Sequence, residues 1–351
     1  MKDKYVFGII GAGMIAEKHI SSLQKTGRAN IKWVSRKDTE KLNEFQHKFN
    51  IPHGASDYHQ IIEDPEVDAI IITTPPHLHY EMYMAAIHAG KNILLEKPSA
   101  INIDEVRKME EAAIDHPELV ISDCSGRHSR LIRKFEVVKE MIVSGKLGEV
   151  YYIHHNAISR QSRPGIEYHP TAKWFLDKSI AGGGPLLDWG IYDLSFHLGI
   201  LGDMPELQTI DSVFLKNGLD NVDPGSDIFD VEEHFSVNMS FSNGLKYYWE
   251  RSSHANIEAP NQSRIYGTHG GIKVAFCSWD DPEITFYYLD EHNKAKQELI
   301  HVEAGPIDDD LALANHYLKC LDHEKQPVMP MSRSRKHLEI IFSLYEKAKS
   351  S

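Results

Sequence analysis

"FGIIGAGMIAEKH", residues 7–19, decides how the chain begins. Gly11, Gly13 and Ala16 stand between a β-branched apolar run, "YVFGII", and a stretch with helical spacing at Ile15, His19/Ile20 and Leu23. Gly-x-Gly-x-x-Ala is the spacing a dinucleotide-binding turn requires. The first glycine makes the tight turn, the second lets the backbone approach a pyrophosphate, and the small third residue lets the helix pack closely on the strand. Met14 and Ile15 then open the helix, where N–H groups and the helix dipole favour phosphate. A small-residue turn without a ligand is the alternative, and context has to decide.

Working outward, "NIKWVS" reads as a second strand and "DTEKLNEFQHKF" as a helix with Asp38 as N-cap. "VDAIIITT" is a buried strand, and "HLHYEMYMAAIHAG" a helix closed by Gly90. "KNILLE", the helix "IDEVRKMEEAAIDH" and the strand "ELVISD" follow. Strands alternating with helices imply right-handed βαβ units and a Rossmann-type doubly wound parallel sheet over residues 1–123. That context favours the dinucleotide reading.

Beyond residue 123 comes one more helix, "SRLIRKFEVVKEMIVSG", and then strand-like stretches dominate. They are "GEVYYIHHNAIS", "QTIDSVFLK", "VEEHFSVNMSFSNG", "LKYYWERSSH", "SRIYGTHGGIKVAF" and "EITFYYLD", separated by Gly, Asn and Asp clusters. An antiparallel meander is expected, with "DDDLALANHYLKCLDH" and "SRSRKHLEIIFSLYEKAKS" as closing helices. Residues 124–351 are therefore expected to form an α+β domain with a large, open, mostly antiparallel sheet. Its uncovered face implies a homodimer or homotetramer built through that sheet.

Composition limits the partners. The 351 residues carry 51 acidic and 38 basic side chains, a net charge of -13. This argues against nucleic acid and anionic membranes as main partners, since both need a basic face. Three scattered cysteines suggest neither a disulfide framework nor a Cys-rich zinc site. No run of about 18 apolar residues occurs, and the N-terminus lacks a long apolar leader. The expectation is a soluble, cytoplasmic protein.

The end of the second strand bears on which dinucleotide binds. An acidic residue about 20 positions after the glycines would hold the ribose hydroxyls of NAD. "WVSRKD" instead offers Ser35, Arg36 and Lys37, a hydroxyl and two cations suited to a 2′-phosphate. NADP is therefore expected in preference to NAD. The alternative is that both cations are solvated and Asp38 turns inward.

"EKPSA" at residues 96–100 and "GGGPLLDWGIYDLSFHLGILG" at residues 182–202, with the N-terminal glycines, resemble the Gfo/Idh/MocA (glucose–fructose oxidoreductase / inositol dehydrogenase) family. The resemblance extends over nearly the whole chain and includes "TTPPHLHYEMYMAAIHAGKNILLEKP" and the region around Arg127. It implies hydride transfer between nicotinamide C4 and the carbinol or carbonyl carbon of a sugar, polyol or related compound. Lys97, Asp188 and Tyr192 are the implied catalytic residues. Thr74, Pro75, His79, Glu96 and Lys97 are implied on the nicotinamide side of the cofactor. Arg127, Arg163, Trp174, Asp188, Tyr192 and Lys97 are the candidate substrate contacts.

A lysine at the end of a parallel strand supplies positive charge to a developing alkoxide. Asp188 and Tyr192, four apart, share a face if their segment is helical. Many members of the family resemble this motif with His in place of Tyr192, and a reductase-like branch carries Tyr. The alternative proton carrier is His197, one turn on. The Gly182–Gly184 run is expected to let backbone approach cofactor or substrate. No helical metal-binding spacing accompanies the "HHN" at 154–156 or the "EEH" at 232–234, so no metal is expected. Two rival functions use the same parts: a glycosidase with bound NAD that oxidises its sugar transiently, and a non-enzymatic dinucleotide sensor.

Overall fold

The computed structural model describes residues 2–349 apart from 219–222, 258, 279, 304, 306 and 307. The chain divides into two units, residues 1–127 with 307–338, and residues 128–306 with 339–351.

In the first unit β1 (Tyr5–Ile10), α1 (Met14–Lys25), β2 (Ala29–Ser35), α2 (Thr39–Phe49), β3 (His53–Ala55) and α3 (His59–Ile62) follow in order. Then come β4 (Ala69–Ile72), α4 (His79–His88), β5 (Asn92–Leu95), α5 (Ile103–Asp115) and β6 (Ile121–Asp123). The strands form a parallel sheet in the order β3-β2-β1-β4-β5-β6, the doubly wound arrangement expected from the alternation. β4, "AIII", is buried at every position because helices cover both faces of a central parallel strand. Its neighbour β1 contributes Phe7, Ile9 and Ile10 to the same core.

The second unit contains α6 (Arg133–Val143), β7 (Val150–Ile158), α7 (Lys178–Ala181), α8 (Pro185–Asp188), α9 (Gly190–Ile200), β8 (Leu207–Lys216), β9 (His234–Phe241) and β10 (Lys246–Ser252). β11 (Gln262–Gly267), β12 (Gly270–Val274), β13 (Glu283–Leu289) and β14 (Ala295–His301) complete its sheet. The order is β14-β13-β12-β11-β7-β10-β9-β8. It is mostly antiparallel, but not the simple meander expected: β7 inserts between β11 and β10 and runs parallel to β10. On one face alternate residues are buried, among them Phe235, Val237, Tyr247, Trp249, Ile153 and Ile265. α9 is buried along its whole length and packs its Phe196 and His197 rings on Phe276, which follows β12. The other face carries the half-exposed rings of Tyr152, His154, Tyr248 and Tyr266.

The expected boundary needs correction at the C-terminal end. α10 (Asp309–Leu321), placed by sequence in the second domain, belongs to the first unit. Tyr317 is fully buried and its ring lies 6.4 Å from that of Phe7 on β1. Just beyond α10, Asp322 pairs with Arg28 at 2.6 Å. The last helix, α11 (Met331–Lys349), has its early residues in the first unit and its later ones in the second.

Candidate active site

Gly11 adopts φ +103, and an added Cβ would lie 2.8 Å from the Thr74 amide nitrogen, so glycine is required there by both conformation and space. Its N–H and that of Ala12 donate to Ser35 O at the end of β2. Gly13 is the N-cap of α1, with no side-chain cap and an ordinary φ of -108. Among the described residues, a Cβ there would meet no heavy atom within 4 Å. Gly27, Gly90, Gly145, Gly218 and Gly244 share such open surroundings, but each has a positive φ. Neither conformation nor internal packing thus asks for glycine at position 13. Ala16 is fully buried, while in the first turn Met14 is exposed and Ile15 half-buried.

At the end of β2, Arg36 reaches back to the glycine turn, donating from Nη1 to Ala12 O at 2.6 Å. Lys37 is exposed. Asp38 does not turn inward. Its Oδ1 accepts from Lys41 N at 3.1 Å as the N-cap of α2, and that bond lowers its pKa. The carboxylate thus serves the helix start, as its place before the helical pattern implied.

On the opposite side of the turn, Thr73 Oγ1 donates to Gly11 O at 2.6 Å, and Thr74 and Pro75 follow at half-buried positions. His79 departs from its expected role as a cofactor contact. It is fully buried, with Nδ1 2.9 Å from Pro98 O and Nε2 2.8 Å from Thr74 O, and burial lowers its pKa. Its ring links the loops after β4 and β5. The contact to Pro98, 19 residues on, is one that spacing does not reveal.

Glu96 is likewise inside. Its Oε1 faces His19 Nε2 at 2.7 Å and Arg127 Nη1 at 3.0 Å, while its Oε2 accepts from Lys97 N at 3.2 Å. Burial pushes this carboxyl up, but Arg127 and His19 outweigh burial and hold it well below the usual range. Arg127, expected at the substrate, is itself 3% exposed and lies 3.2 Å from Asp310 on α10 as well. Its cation neutralises two carboxylates of the fold. Lys97 follows Glu96, half-buried, before a cis peptide bond to Pro98. Ser99 donates to Asp123, so the Lys97 segment is held at both ends.

His19, Glu96 and Cys124 also bring metal-type donor atoms within 4.8 Å of one another. The chemistry of the set fits a cation poorly. Burial raises the Cys124 thiol well above its ordinary pKa, and the Arg127 guanidinium already holds Glu96.

In the second unit the glycine run differs from its reading. Gly182 ends α7 in the left-handed region, at φ 84. A Cβ on Gly183 would overlap the Tyr345 hydroxyl, and one on Gly184 would overlap Glu232 O. The close approach is therefore to the protein's own atoms. Asp188 and Tyr192 lie on two successive helices, α8 and α9, joined at Trp189, rather than on one. Asp188 is half-buried at the end of α8. The Tyr192 ring is buried, 5.1 Å from that of His128 and 5.6 Å from that of Trp189.

His197 is enclosed. Nε2 lies 2.8 Å from Ser263 Oγ and Nδ1 2.8 Å from Tyr247 OH, and burial holds its pKa well below the usual value. It is a neutral part of the interior. Asp193 is pushed up by burial but held low by Arg251, at 2.6 Å, and His155; Trp249 Nε1 donates to it at 2.8 Å. Arg163, a second expected substrate contact, is also buried, donating to Glu167 at 3.0 Å and to Glu233 at 3.3 Å. Trp174 is half-buried and stacks on Phe175 at 3.8 Å. Sequence reasoning gave no role at the site to His19, Glu232 or Tyr345. Helical spacing made His19 an apolar-face position, and its buried acid partner lies 77 residues away.

The comparisons agree with this anatomy. A family model described as the oxidoreductase family, NAD-binding Rossmann fold, matches residues 6–123, and the GFO/IDH/MocA C-terminal domain model matches residues 135–273. Trans-1,2-dihydrobenzene-1,2-diol dehydrogenase of Mus musculus is 26% identical over 95% of this chain and 94% of its own. D-glucoside 3-dehydrogenase of Escherichia coli is 25% identical over 97% of this chain and 95% of its own. Levoglucosan dehydrogenase in complex with NADH and levoglucosan has the same fold, with a TM-score of 0.85 at 21% identity over 99% of this chain and 98% of that one. Two family models matched in order, with a Gly-x-Gly-x-x-Ala turn in the first and the Asp188–Tyr192 segment in the second, place the chain in the Gfo/Idh/MocA family of NAD(P)-binding oxidoreductases.

Proposed function

We propose that the chain is an NADP-preferring dehydrogenase or reductase that transfers a hydride between nicotinamide C4 and the carbinol or carbonyl carbon of a sugar or polyol. The observation that carries the reading is Gly13, an N-cap glycine that the chain's own conformation and packing do not explain. A dinucleotide pyrophosphate at the start of α1 does explain it, and the bound cofactor supplies or accepts the hydride. The relatives support the substrate class: their names describe dehydrogenases of a dihydrodiol, a glucoside and myo-inositol.

The remaining steps belong to the protein. Arg36 and Lys37 favour a 2′-phosphate, and the carboxylate that follows them in the chain, Asp38, is engaged at the N-cap of α2. Lys97 stabilises the negative charge that develops on the substrate oxygen. Tyr192 carries the proton to or from that oxygen, and Asp188 binds a substrate hydroxyl beside it. Trp174 offers an apolar ring face to a sugar. Arg127 and Arg163 drop out of the substrate set because buried carboxylates hold both guanidinium groups.

Titration with NADPH and NADH, then absorbance at 340 nm against a panel of aldoses, ketoses, inositols and glycosides, tests the reading. Tighter NADPH binding and net turnover are expected. Glycoside cleavage without net turnover would replace it with redox-assisted hydrolysis, and binding alone with a sensor. The half-exposed face of Tyr152, His154, Tyr248 and Tyr266 supports association of two or four copies through the second sheet. Light scattering at micromolar concentration would contradict that assembly by returning a monomer mass.

A further inference from the structure

α8 is a single turn, and its start is held by a carboxylate from elsewhere in the chain. Glu232, just before β9, is 2% exposed. Its Oε2 accepts from Gly184 N at 3.0 Å, and its Oε1 accepts from Leu186 N at 3.0 Å and from Tyr345 OH at 2.9 Å. Pro185 lies between the two donors and has no N–H to offer. Gly184 is the N-cap and has no side chain, so Glu232 performs from a distance what a capping residue does locally.

The same turn leads to Asp188. Gly184 O accepts from Asp188 N at 2.9 Å, Pro185 O from Trp189 N at 3.3 Å, and Trp189 O from Tyr192 N at 2.9 Å. Backbone hydrogen bonds of this turn and of the start of α9 thus link the segment that Glu232 holds to the N–H groups of both residues. Gly183 and Gly184 fit the arrangement because larger residues would overlap Tyr345 and Glu232.

We propose that Glu232, backed by Tyr345, is a positioning residue that fixes where α8 ends and so sets the placement of Asp188 and Tyr192. The proposal rests on the reading of those two residues given above. A carboxylate only accepts, whereas an amide in its place turns an NH2 toward a donor. In Glu232→Gln either amide orientation leaves one backbone N–H, of Gly184 or Leu186, facing another donor. Tyr345→Phe removes one of the three donors and keeps both backbone bonds, so it is the milder variant.

The test combines amide hydrogen exchange over residues 182–193, NADPH titration, and steady-state kinetics with the best substrate from the panel. Glu232→Gln is expected to speed exchange in this segment and lower kcat by about tenfold to a hundredfold, the order that a misplacement of about 1 Å produces. NADPH affinity should stay within about twofold, because no N-terminal element is touched. Tyr345→Phe should show the same pattern more weakly, and Glu232→Asp, which keeps the charge, should recover part of the loss. Unchanged exchange and unchanged kcat in both Glu232→Gln and Tyr345→Phe would overturn the proposal, as would faster exchange with a normal kcat. Asp188→Asn and Tyr192→Phe are measured in parallel. Normal turnover in those two overturns the site reading itself, whereas slow turnover in them with a normal Glu232→Gln overturns only the positioning role.

Discussion

Gly13 and Gly184 are both glycine N-caps, of α1 and α8, and the sequence presents them alike as small residues before a helix. Their surroundings are opposite. At Gly184 the cap is supplied by Glu232, and a Cβ would collide with the Glu232 backbone. At Gly13, among the described residues, no side chain caps the helix and a Cβ would meet nothing within 4 Å. A helix start attracts negative charge wherever it lies. In α8 the fold provides the anion, whereas among the described residues no side chain caps α1, which is why the proposed pyrophosphate is assigned there. Glycine enrichment is therefore ambiguous until the space beside each glycine is known.

The largest effects should divide along that line. Gly13→Val is expected to abolish dinucleotide binding, measured by NADPH titration, while melting temperature is nearly unchanged. Gly184→Ala should do the reverse, keeping the α1 turn intact but losing stability by about 1–3 kcal/mol or more through overpacking. Should Gly13→Val melt early and still bind NADPH, the contrast between the two caps would be wrong.

Next in size is the chemistry. Lys97→Met should lower kcat by about two to three decades with little change in NADPH affinity, the usual result of losing a preorganised charge at a developing oxyanion. Tyr192→Phe should slow turnover and alter its pH profile. His197→Ala should disturb stability more than the pH profile, since its imidazole is sealed between Ser263 and Tyr247. A severe pH-profile change in His197→Ala alone would transfer the proton role to it.

A smaller effect separates the two forms of the cofactor. Arg36→Ala should weaken NADPH binding by about tenfold, in line with one lost charge-assisted bond. NADH should weaken less, through loss of the Ala12 contact only. Equal losses would remove the 2′-phosphate from the argument.

The same contrast explains what could be read in advance. Residues 5–123 were legible, the short β3 and α3 apart, because their evidence is local: a glycine spacing, buried strands of Ile and Val, and Asp38 before a helix. β14 was not, because "AKQELIH" is an edge strand exposed at nearly every position and has no apolar alternation to show. The insertion of β7 beside β10 and the return of α10 to the first unit depend on pairing between distant residues. Arg127 and Arg163 looked like ligand contacts for the same reason. Their carboxylate partners include Asp310 and Glu233, far along the chain, and an arginine with an unknown partner resembles one waiting for a substrate.

The smallest expected effect compares the two buried glutamates, one in each unit. Arg127 and His19 hold Glu96 well below its ordinary pKa, whereas burial pushes Glu232 above its own. Glu96 therefore contributes stability that is complete above about pH 4.5, its unfolded value, and is lost as pH falls through its folded pKa. Glu232 has the opposite sign: the folded chain binds its proton more tightly, so its contribution is largest below about pH 4.5 and declines as pH rises through its folded pKa. On acidification the two changes have opposite signs and follow in succession, Glu232 gaining above about pH 4.5 and Glu96 losing below it. Melting temperature followed from pH 7 toward pH 2 should fall less steeply below about pH 4.5 in Glu96→Gln than in the wild type, because the acid-labile ion pair is gone. Glu232→Gln should fall more steeply, because the group that gains on protonation is gone. Parallel curves for all three proteins would mean that neither carboxylate changes its proton affinity on folding, and the electrostatic difference between the two units would not hold.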